Sequence, residues 1–475
     1  MLGGLIAILS VFGAGAISDY SQIALLLSGL LALALSVYNR SLTRRGAAVG
    51  LRRSARQILP AVPMLVFIAT VSTTWMLSGV VPTLIDYGLR IMNPTFFLVS
   101  TCIVCTLISV LTGSSWSTIA TIGVAFMGIG TVLGYHPGWI AGAIISGAYF
   151  GDKVSPLSDT TVIASSTCGI DLFDHIRYLM LTSIPALALA LVAFTIAGLT
   201  AGVNTEIEAR EIVDHLHSTF NITPWVLVIP LVTGILIALR VPTVLTLAAS
   251  SLMGTIGIFV FQPGIVSMLG GDIASGFGDY AEMIWSFLWN ETEFSTGFGL
   301  LDSLVSTGGI TGMLPTITLV LSAMFFGSAM IGTGMLAAIT AKITTRLRRR
   351  FPVVGSTVAT GLFLNSCTAD QYLSIIIGGN MYRNIYRRLG MEPRLLSRTL
   401  EDSISVTSVL IPWNSCGVTH SAVLGVNTLT YLPYCFFNYL SPLMSLMMAY
   451  TGFKIYQSVS VHRLKTYSGE TSGRN

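Results

Sequence analysis

Apolar positions along this chain come in stretches long enough to cross a bilayer. They recur from Leu2 almost to Tyr456, and a hydrocarbon core roughly 30 Å thick takes about 20 helical residues to span. Leu179 to Ala201 and Ile222 to Leu239 are apolar on every face, whereas a barrel strand alternates apolar and polar positions over short segments. Helices are the remaining way to satisfy the backbone in lipid. The pattern therefore predicts an all-α polytopic membrane protein of about ten to twelve spans. The segments fall near residues 2–18, 21–38, 58–80, 95–111, 119–133, 138–150, 176–202, 222–239, 243–262, 314–340, 353–366, 400–412, 417–438 and 441–457. The opening Met1-Leu2-Gly3-Gly4-Leu5-Ile6 has no positive n-region or cleavage site, so it reads as a first span and not as a secretion signal.

Several segments are interrupted by Gly, Pro, Ser and Thr, notably Thr112 to Thr118, Gly151 to Cys168, Asn365 to Gly379 and Thr407 to Cys416. Polar broken backbone at membrane depth needs protein or a cavity around it. The interruptions pair between the halves. Ser166-Thr167-Cys168-Gly169 matches Asn414-Ser415-Cys416-Gly417 at an offset of 248, and Trp75-Met76-Leu77 resembles Ala329-Met330-Ile331 at an offset of 254. The span at 58–80 begins beside one basic cluster and its counterpart at 314–340 ends at another, so the two halves run in opposite directions. This organisation comprises residues 1–57 as N-terminal spans and a basic loop, 58–202 as a first repeat, 203–310 as connecting spans and acidic loops, 311–457 as a second, inverted repeat, and 458–475 as a polar tail. Two inverted-topology repeats with broken or re-entrant helices are the signature of a secondary transporter with a site near the midplane.

Composition agrees. Of 475 residues, 53% are hydrophobic and 10% charged, against about 25% charge in a soluble domain. The net charge of +4 does not point to nucleic acid, because 20 of the 25 basic residues sit in four clusters: Arg40 to Arg56, Lys342 to Arg350, Arg383 to Arg398 and Lys454 to Arg474. All four read as cytoplasmic. Ten of the 21 acids lie between Glu206 and Asp302, which places those stretches outside. Cys102 and Cys105 form a Cys-x-x-Cys within an apolar run and read as packing residues. The histidines, including His215 and His217, read as solvated loop residues.

A carboxylate at membrane depth costs about 2.5 to 3.5 kcal/mol on insertion scales, so each one there needs a partner, a cavity or a role. Gly151 to Thr161 packs Asp152, Lys153, Ser155, Ser158, Asp159, Thr160 and Thr161 around Pro156, which prevents a regular helix. Freed carbonyls, hydroxyls and a carboxylate are hard oxygen ligands of the kind an alkali cation prefers. Lys153 is within reach of either neighbouring acid. In the second half Asn365, Thr368 and Asp370 follow an apolar stretch, and Asn414 closes Pro412-Trp413-Asn414. Glu401-Asp402 reads equally well as a helix N-terminal pair stabilised by the macrodipole and as a transport element.

Four of these regions resemble a known family. Thr112-Gly113-Ser114-Ser115-Trp116, the Gly151 to Thr161 run, Thr368-Ala369-Asp370-Gln371-Tyr372, and Leu400-Glu401-Asp402-Ser403 with Ile411-Pro412-Trp413-Asn414 are similar, in order, to the motifs of NhaC-type sodium/proton antiporters. The resemblance covers about residues 60 to 440 and implies inverted repeats with re-entrant hairpins, exchange by alternating access in the cytoplasmic membrane of a prokaryote, and sodium and protons as the cargo. No resident cofactor is expected. Ion-binding candidates are Asp152, Ser155, Ser158, Asp159, Thr160, Asp370, Thr368, Asn365, Asn414, Ser115 and Thr112, with sodium ligands among Asp159, Asp370 and Asn414 and the proton on Asp370, Asp159 or Asp152. The alternative within transport is sodium- or proton-coupled movement of a small organic acid, of the malate/lactate type, or of an amino acid; the bilayer is the other partner, and a homodimer is compatible. An intramembrane aspartyl protease is disfavoured because Tyr149-Phe150-Gly151-Asp152 lacks the first Gly of Gly-x-Gly-Asp, a zinc protease because no His-Glu-x-x-His occurs, and ATP-driven transport because no phosphate-binding loop occurs.

The orientation is testable. A single cysteine replacing Arg348 should react with an impermeant maleimide from the cytoplasmic side, and one replacing Glu208 from the outside; external labelling at Arg348 would break the inverted arrangement.

Overall fold

The computed structural model describes residues 17–38, 61–200, 206–239, 241–270, 277–292, 306–336 and 349–453. The span expected at 2–18, except its last two residues, the basic cluster Arg40 to Arg56, Lys342 to Arg348, and the C-terminal tail with its Lys454 to Arg474 cluster lie outside them. The described residues are predominantly helical. Five helices are each long and apolar enough to cross a membrane, and two bent helix pairs bring the number to seven. The chain is a multi-pass, all-α membrane protein.

After α1 (Ile17–Tyr38), α2 (Ala61–Leu77) and α3 (Val80–Ile91) meet at a 65° bend over Ser78-Gly79, so the single span expected at 58–80 is one arm of a broken pair. There follow α4 (Phe97–Thr112), α5 (Ser115–Val132), α6 (Pro137–Val154), α7 (Asp159–Cys168) and α8 (Leu172–Thr200). Connecting elements are α9 (Glu206–Thr219), α10 (Val228–Ala238), α11 (Thr243–Phe261), α12 (Pro263–Gly270), α13 (Phe277–Trp289) and α14 (Gly309–Gly332). The second half contains α15 (Arg350–Thr368), α16 (Gln371–Arg388), α17 (Pro393–Leu400) running into a π turn at Glu401–Ser405, α18 (Ser415–Leu424), α19 (Thr428–Tyr431) and α20 (Phe436–Thr451).

Local structure in the two halves recurs at a constant offset of 256 residues. Helices α4 and α15 end at Thr112 and Thr368, each capped by a left-handed residue, Gly113 and Ala369. The following helices start with matched N-caps: Ser114 accepts from Ser117 N, and Asp370 accepts from Leu373 N. Helices α5 and α16 end at Val132 and Arg388, before left-handed Gly134 and Gly390. Pro137 and Pro393 both open a helix, where a missing N–H costs nothing. Helices α7 and α18 span 159–168 and 415–424 and end on left-handed Gly169 and Gly425. The offsets of 248 and 254 expected from short identities pair non-equivalent positions, because a four-residue match within Ser- and Gly-rich breaks carries less register information than the caps.

The breaks are also narrower than the polar stretches. Gly151 to Cys168 contains a break only at Ser155–Ser158, and Asn365 to Gly379 only at Ala369–Asp370. Thr and Ser tolerate helix interiors when they bond back to the preceding turn, as Ser165 and Ser166 do to Val162 and Ile163. The acidic stretch that begins at Glu206 is likewise a helix, α9, and not a loop.

Small residues let helices approach closely. A Cβ on Gly147 of α6 would lie 2.2 Å from the Cys102 carbonyl of α4, and Cys102 and Cys105 are fully buried in this contact. The break after α4 depends on Gly113, whose φ of 69° suits glycine and whose Cβ would fall 2.5 Å from Leu157 Cβ. Its counterpart Ala369 adopts φ 57° with a side chain in place, a conformation costing about 1 to 2 kcal/mol. Thermal unfolding of the detergent-solubilised protein should show this asymmetry. Gly147→Ala should destabilise by about 1 to 3 kcal/mol through overpacking, whereas Ala369→Gly should be neutral or stabilising by up to about 1 kcal/mol; equal losses would contradict the packing account.

Candidate functional site

Two of the breaks enclose a cleft of about 490 Å³. Its polar wall comes from Thr112, Ser117, Asp152, Asp159, Thr160 and Tyr372. The opposite side is supplied by Ile237 at the end of α10 and by the turn into α11 at Val241-Pro242-Thr243. Its charged lining residues are both acids.

Asp152 anchors this site. It lies in the last turn of α6, where packing against α4 fixes the backbone, and its Oδ2 accepts from Ser115 N at 3.1 Å and from Ser115 Oγ at 2.6 Å. Ser115 is the first residue of α5, so the carboxylate faces a helix N-terminus, where free N–H groups and the macrodipole favour negative charge. Asp159 opens α7 and is exposed to the cleft. Thr112 and Thr160 line the cleft as well. Ser158 bonds Thr160 at 3.0 Å, while Ser155 is buried and donates to the Val110 carbonyl at 2.8 Å, which holds the turn.

The second-half candidates gather separately. Asp370 caps α16, its Oδ1 accepting from Leu373 N at 2.8 Å. Thr368 donates to the Asp370 carbonyl and pairs with Ser374 at 2.7 Å. Asn365 donates to the Ile404 carbonyl at 2.7 Å and accepts at its own carbonyl from Asn414 Nδ2 at 3.1 Å. Thus Asp152, Asp159, Thr160 and Thr112 share the cleft, Ser115 supports it from behind, and Asp370, Thr368, Asn365 and Asn414 brace the second break without lining it. Tyr372, two residues beyond Asp370, connects the groups: it lines the cleft and lies among Asp152, Asp159 and Asp370. The repeat relates the two as well, since Ser115–Asp152 corresponds to Gln371–Ser408, where Ser408 Oγ donates to Gln371 Oε1 at 3.2 Å.

A second polar cluster lies behind the cleft, and sequence reasoning missed it. Lys153 pairs with neither neighbouring acid; its Nζ donates to Asp402 Oδ1, 249 residues away, and to Ser441 Oγ at 2.7 Å. Thr182 and Ser441 also donate to Asp402 Oδ1, at 3.1 and 2.8 Å. Arg398 stands 3.8 Å from Asp402 Oδ2, with its guanidinium over the Tyr178 ring. Lys153, Asp402 and Arg398 are each at most 1% exposed, so the cluster joins α6, α8, α17 and α20 within the protein. Of the two readings open for Glu401-Asp402, the helix N-terminal pair does not form: the residues prolong the C-terminal end of α17 as a π turn, where the macrodipole opposes negative charge and Lys153 supplies the compensation instead. Both partners were visible as charges in apolar surroundings, but no local rule pairs residues so distant in sequence.

The loop reading of the histidines is also corrected. His175 is buried and bonds Ser397 Oγ at 2.8 Å, His420 is buried and bonds Tyr149 OH at 3.1 Å, and His217 on α9 meets buried Asp86 at 3.3 Å. Hydropathy counts histidine as polar, but each of the two buried rings sits in the interior with a hydroxyl partner at one nitrogen.

The family model described as the Na+/H+ antiporter family matches residues 2–180 and 147–453. The chain belongs to that family. It is 37% identical over 389 residues to the Na(+)/H(+) antiporter NhaC of Alkalihalophilus pseudofirmus, covering 82% of this chain and 81% of that one. It is 35% identical to the malate-2H(+)/Na(+)-lactate antiporter of Bacillus subtilis, over 83% and 81% of the two chains, and 34% identical to the arginine/ornithine antiporter ArcD of Halobacterium salinarum, over 86% and 82%. These family relatives are antiporters whose named cargoes include sodium, protons, carboxylates and amino acids.

The buried pair should reveal itself in a double-mutant cycle. Lys153→Met and Asp402→Asn each remove one partner of a buried pair and should each cost about 3 to 5 kcal/mol on denaturation in micelles, Lys153→Met the less because Arg398 stays beside Asp402. The double variant should fall short of the sum by at least about 1 kcal/mol; strict additivity would deny the contact.

Proposed function

We propose that this protein exchanges sodium for protons across the cytoplasmic membrane of a prokaryote by alternating access, with Asp152 as the centre of the sodium site. The observation that carries the reading is the cleft's chemistry: two carboxylates and several hydroxyls gathered where two helices break, with no basic side chain among the lining residues. Oxygen donors of this kind suit a hard cation. Asp152 is the lining acid that is also held in the fold, fixed by Ser115, while Asp159 at the rim adds charge that attracts a cation from water. Thr112, Thr160 and the freed backbone of the Ser155–Ser158 break supply further oxygens. A bound cation neutralises the carboxylate, and a neutral site crosses a low-dielectric barrier far more readily than a charged one. Asp370 and Asn414 then act by holding the second break in shape, next to Tyr372.

One observation favours the second reading, transport of a small organic acid or amino acid coupled to these ions: about 490 Å³ is far more than a bare sodium ion fills. The acidic lining opposes a free carboxylate substrate, which would call for a basic partner or a bound sodium beside it.

Proteoliposomes carrying an internal pH dye decide between them when sodium, lithium, potassium, malate and amino acids are added in turn. Sodium alone should drive proton movement. Asp152→Asn should reduce it by about tenfold or more, with normal membrane insertion, because the amide keeps the shape but not the charge. Movement that requires malate or an amino acid would overturn the first reading in favour of the second.

A further inference from the structure

Glu401 is a buried carboxylate that neither the cleft nor the Lys153–Asp402 pair uses. It is 0% exposed, and neither carboxylate oxygen has a hydrogen-bond partner among the described residues. Ser405, one turn on, sets the hydroxyl nearest to this carboxylate, short of hydrogen-bond geometry. An ionised carboxylate in that setting would lose its hydration with at most the Ser405 hydroxyl as a donor in exchange, whereas a neutral acid loses far less.

The charged side chains around it are Asp152 and Lys153 on α6 and Asp402 on its own turn, with Arg398 just before it on α17. Helices α7, α15, α16 and α20 pack against the same turn. Helix α20 carries no Asp, Glu, Lys or Arg, α15 only Arg350 at its start, and α7 only Asp159. Helix α16 has Arg383, Arg387 and Arg388 towards its C-terminal end, with Tyr382 and Tyr386 buried among them. The fold itself does not ask for an acid here. The repeat mate of Glu401 is Ile145, fully buried on α6, where the helix is regular; the π turn is peculiar to the acidic copy, and such turns recur at functional sites.

We propose that Glu401 carries the exchanged proton at a site separate from the cation cleft, coupled to it through the Lys153–Asp402 pair. This rests on the reading of Asp152 as the sodium site. With Glu401 neutral, Lys153 and Arg398 balance Asp402 and Asp152, and the buried cluster has no net charge. Sodium arriving at Asp152 adds one positive charge. Breaking the Glu401 O–H bond and releasing the proton to the aqueous side then open restores neutrality, and the new carboxylate is stabilised by Lys153 and Arg398. One sodium ion bound for one proton released keeps the interior neutral at both ends of the cycle, without the two ions meeting on one carboxylate.

The test uses the full chain in proteoliposomes with two readouts: radiosodium counterflow between equal sodium concentrations, and sodium-driven proton movement. Glu401→Gln has no proton to release when sodium binds, so it should lose proton movement by about tenfold or more, and its counterflow should need more sodium and no longer vary with pH. Glu401→Asp should keep both and shift the pH profile of exchange. Native proton movement in Glu401→Gln, or counterflow that keeps the native sodium requirement and pH dependence in a variant that inserts and elutes as the native protein does, overturns the proposal. Should Glu401→Gln fail to fold, Glu401→Asp decides, since an unchanged pH profile there overturns it equally. Retained counterflow in Asp152→Asn would instead overturn the sodium reading on its own.

Discussion

A helix that stops inside a bilayer leaves up to four N–H and four C=O groups without intrahelical partners, and no water is at hand to take them. This chain stops helices at Gly113, Ser155, Ala369 and Ile411. The residues around each stop answer that constraint. Short side chains, Ser114, Asp370 and Asn414, accept from backbone N–H groups of the next helix. Thr112 and Thr368 fold back across the breaks, and Ser415 N donates to the Ala369 carbonyl at 2.9 Å, tying the two breaks of the second half to each other. The polar groups that satisfy the ends are the same groups that make the interior hospitable to an ion. In the first half one end is left facing a cleft, and Asp152 fills the N-terminal field of α5 that would otherwise be empty.

Charge buried behind that cleft imposes the next condition. Lys153 and Asp402 are adjacent in sequence to Asp152 and Glu401 respectively, so one ion pair fixes the position of both neighbours. A pair of this kind is a poor source of stability, because desolvation of two charges offsets most of their attraction. Its effect here is to define one arrangement of α6 against the turn that follows α17.

The sequence made the class of protein legible because hydropathy acts over 20-residue windows and averages out local errors. It also marked Asp152, Asp159 and Thr160, since helix packing alone does not account for a carboxylate flanked by Ser, Thr and Pro inside an apolar run. Three things were hidden for physical reasons. Helix breaks need only one or two residues in an unusual conformation, so Ala369, an ordinary helix former, gave no signal for the break it makes. Tyr372 and Trp116 enter the cleft through the orientation of their helices, which periodicity does not report. The Lys153–Asp402 contact is a tertiary fact, and local spacing suggested the nearer, wrong partners.

The two halves share a backbone register over the breaks but not their chemistry, and this separates scaffold from function. At positions where the repeat mates match in type, Thr112 and Thr368, Pro137 and Pro393, Gly169 and Gly425, the shared residue is explained by a cap, a helix start or a left-handed turn. The acids do not follow the repeat. Asp152 and Asp159 face Ser408 and Ser415 as mates, while Glu401 and Asp402 face Ile145 and Ser146. A fold that forms with serine or isoleucine at one copy does not require a carboxylate at the other, so the acids are retained against their insertion cost for another reason. They are also unevenly placed: Asp152 and Asp159 at the first-half break, Asp370 at the second-half break with Ser114 as its mate, and Glu401 and Asp402 on the second-half helix, where Lys153 pairs with Asp402. A symmetric scaffold gives two conformations of similar energy. A set of charges balanced only when an ion or proton is on board lets those conformations interconvert readily in the occupied states alone, and that condition is what an exchanger requires.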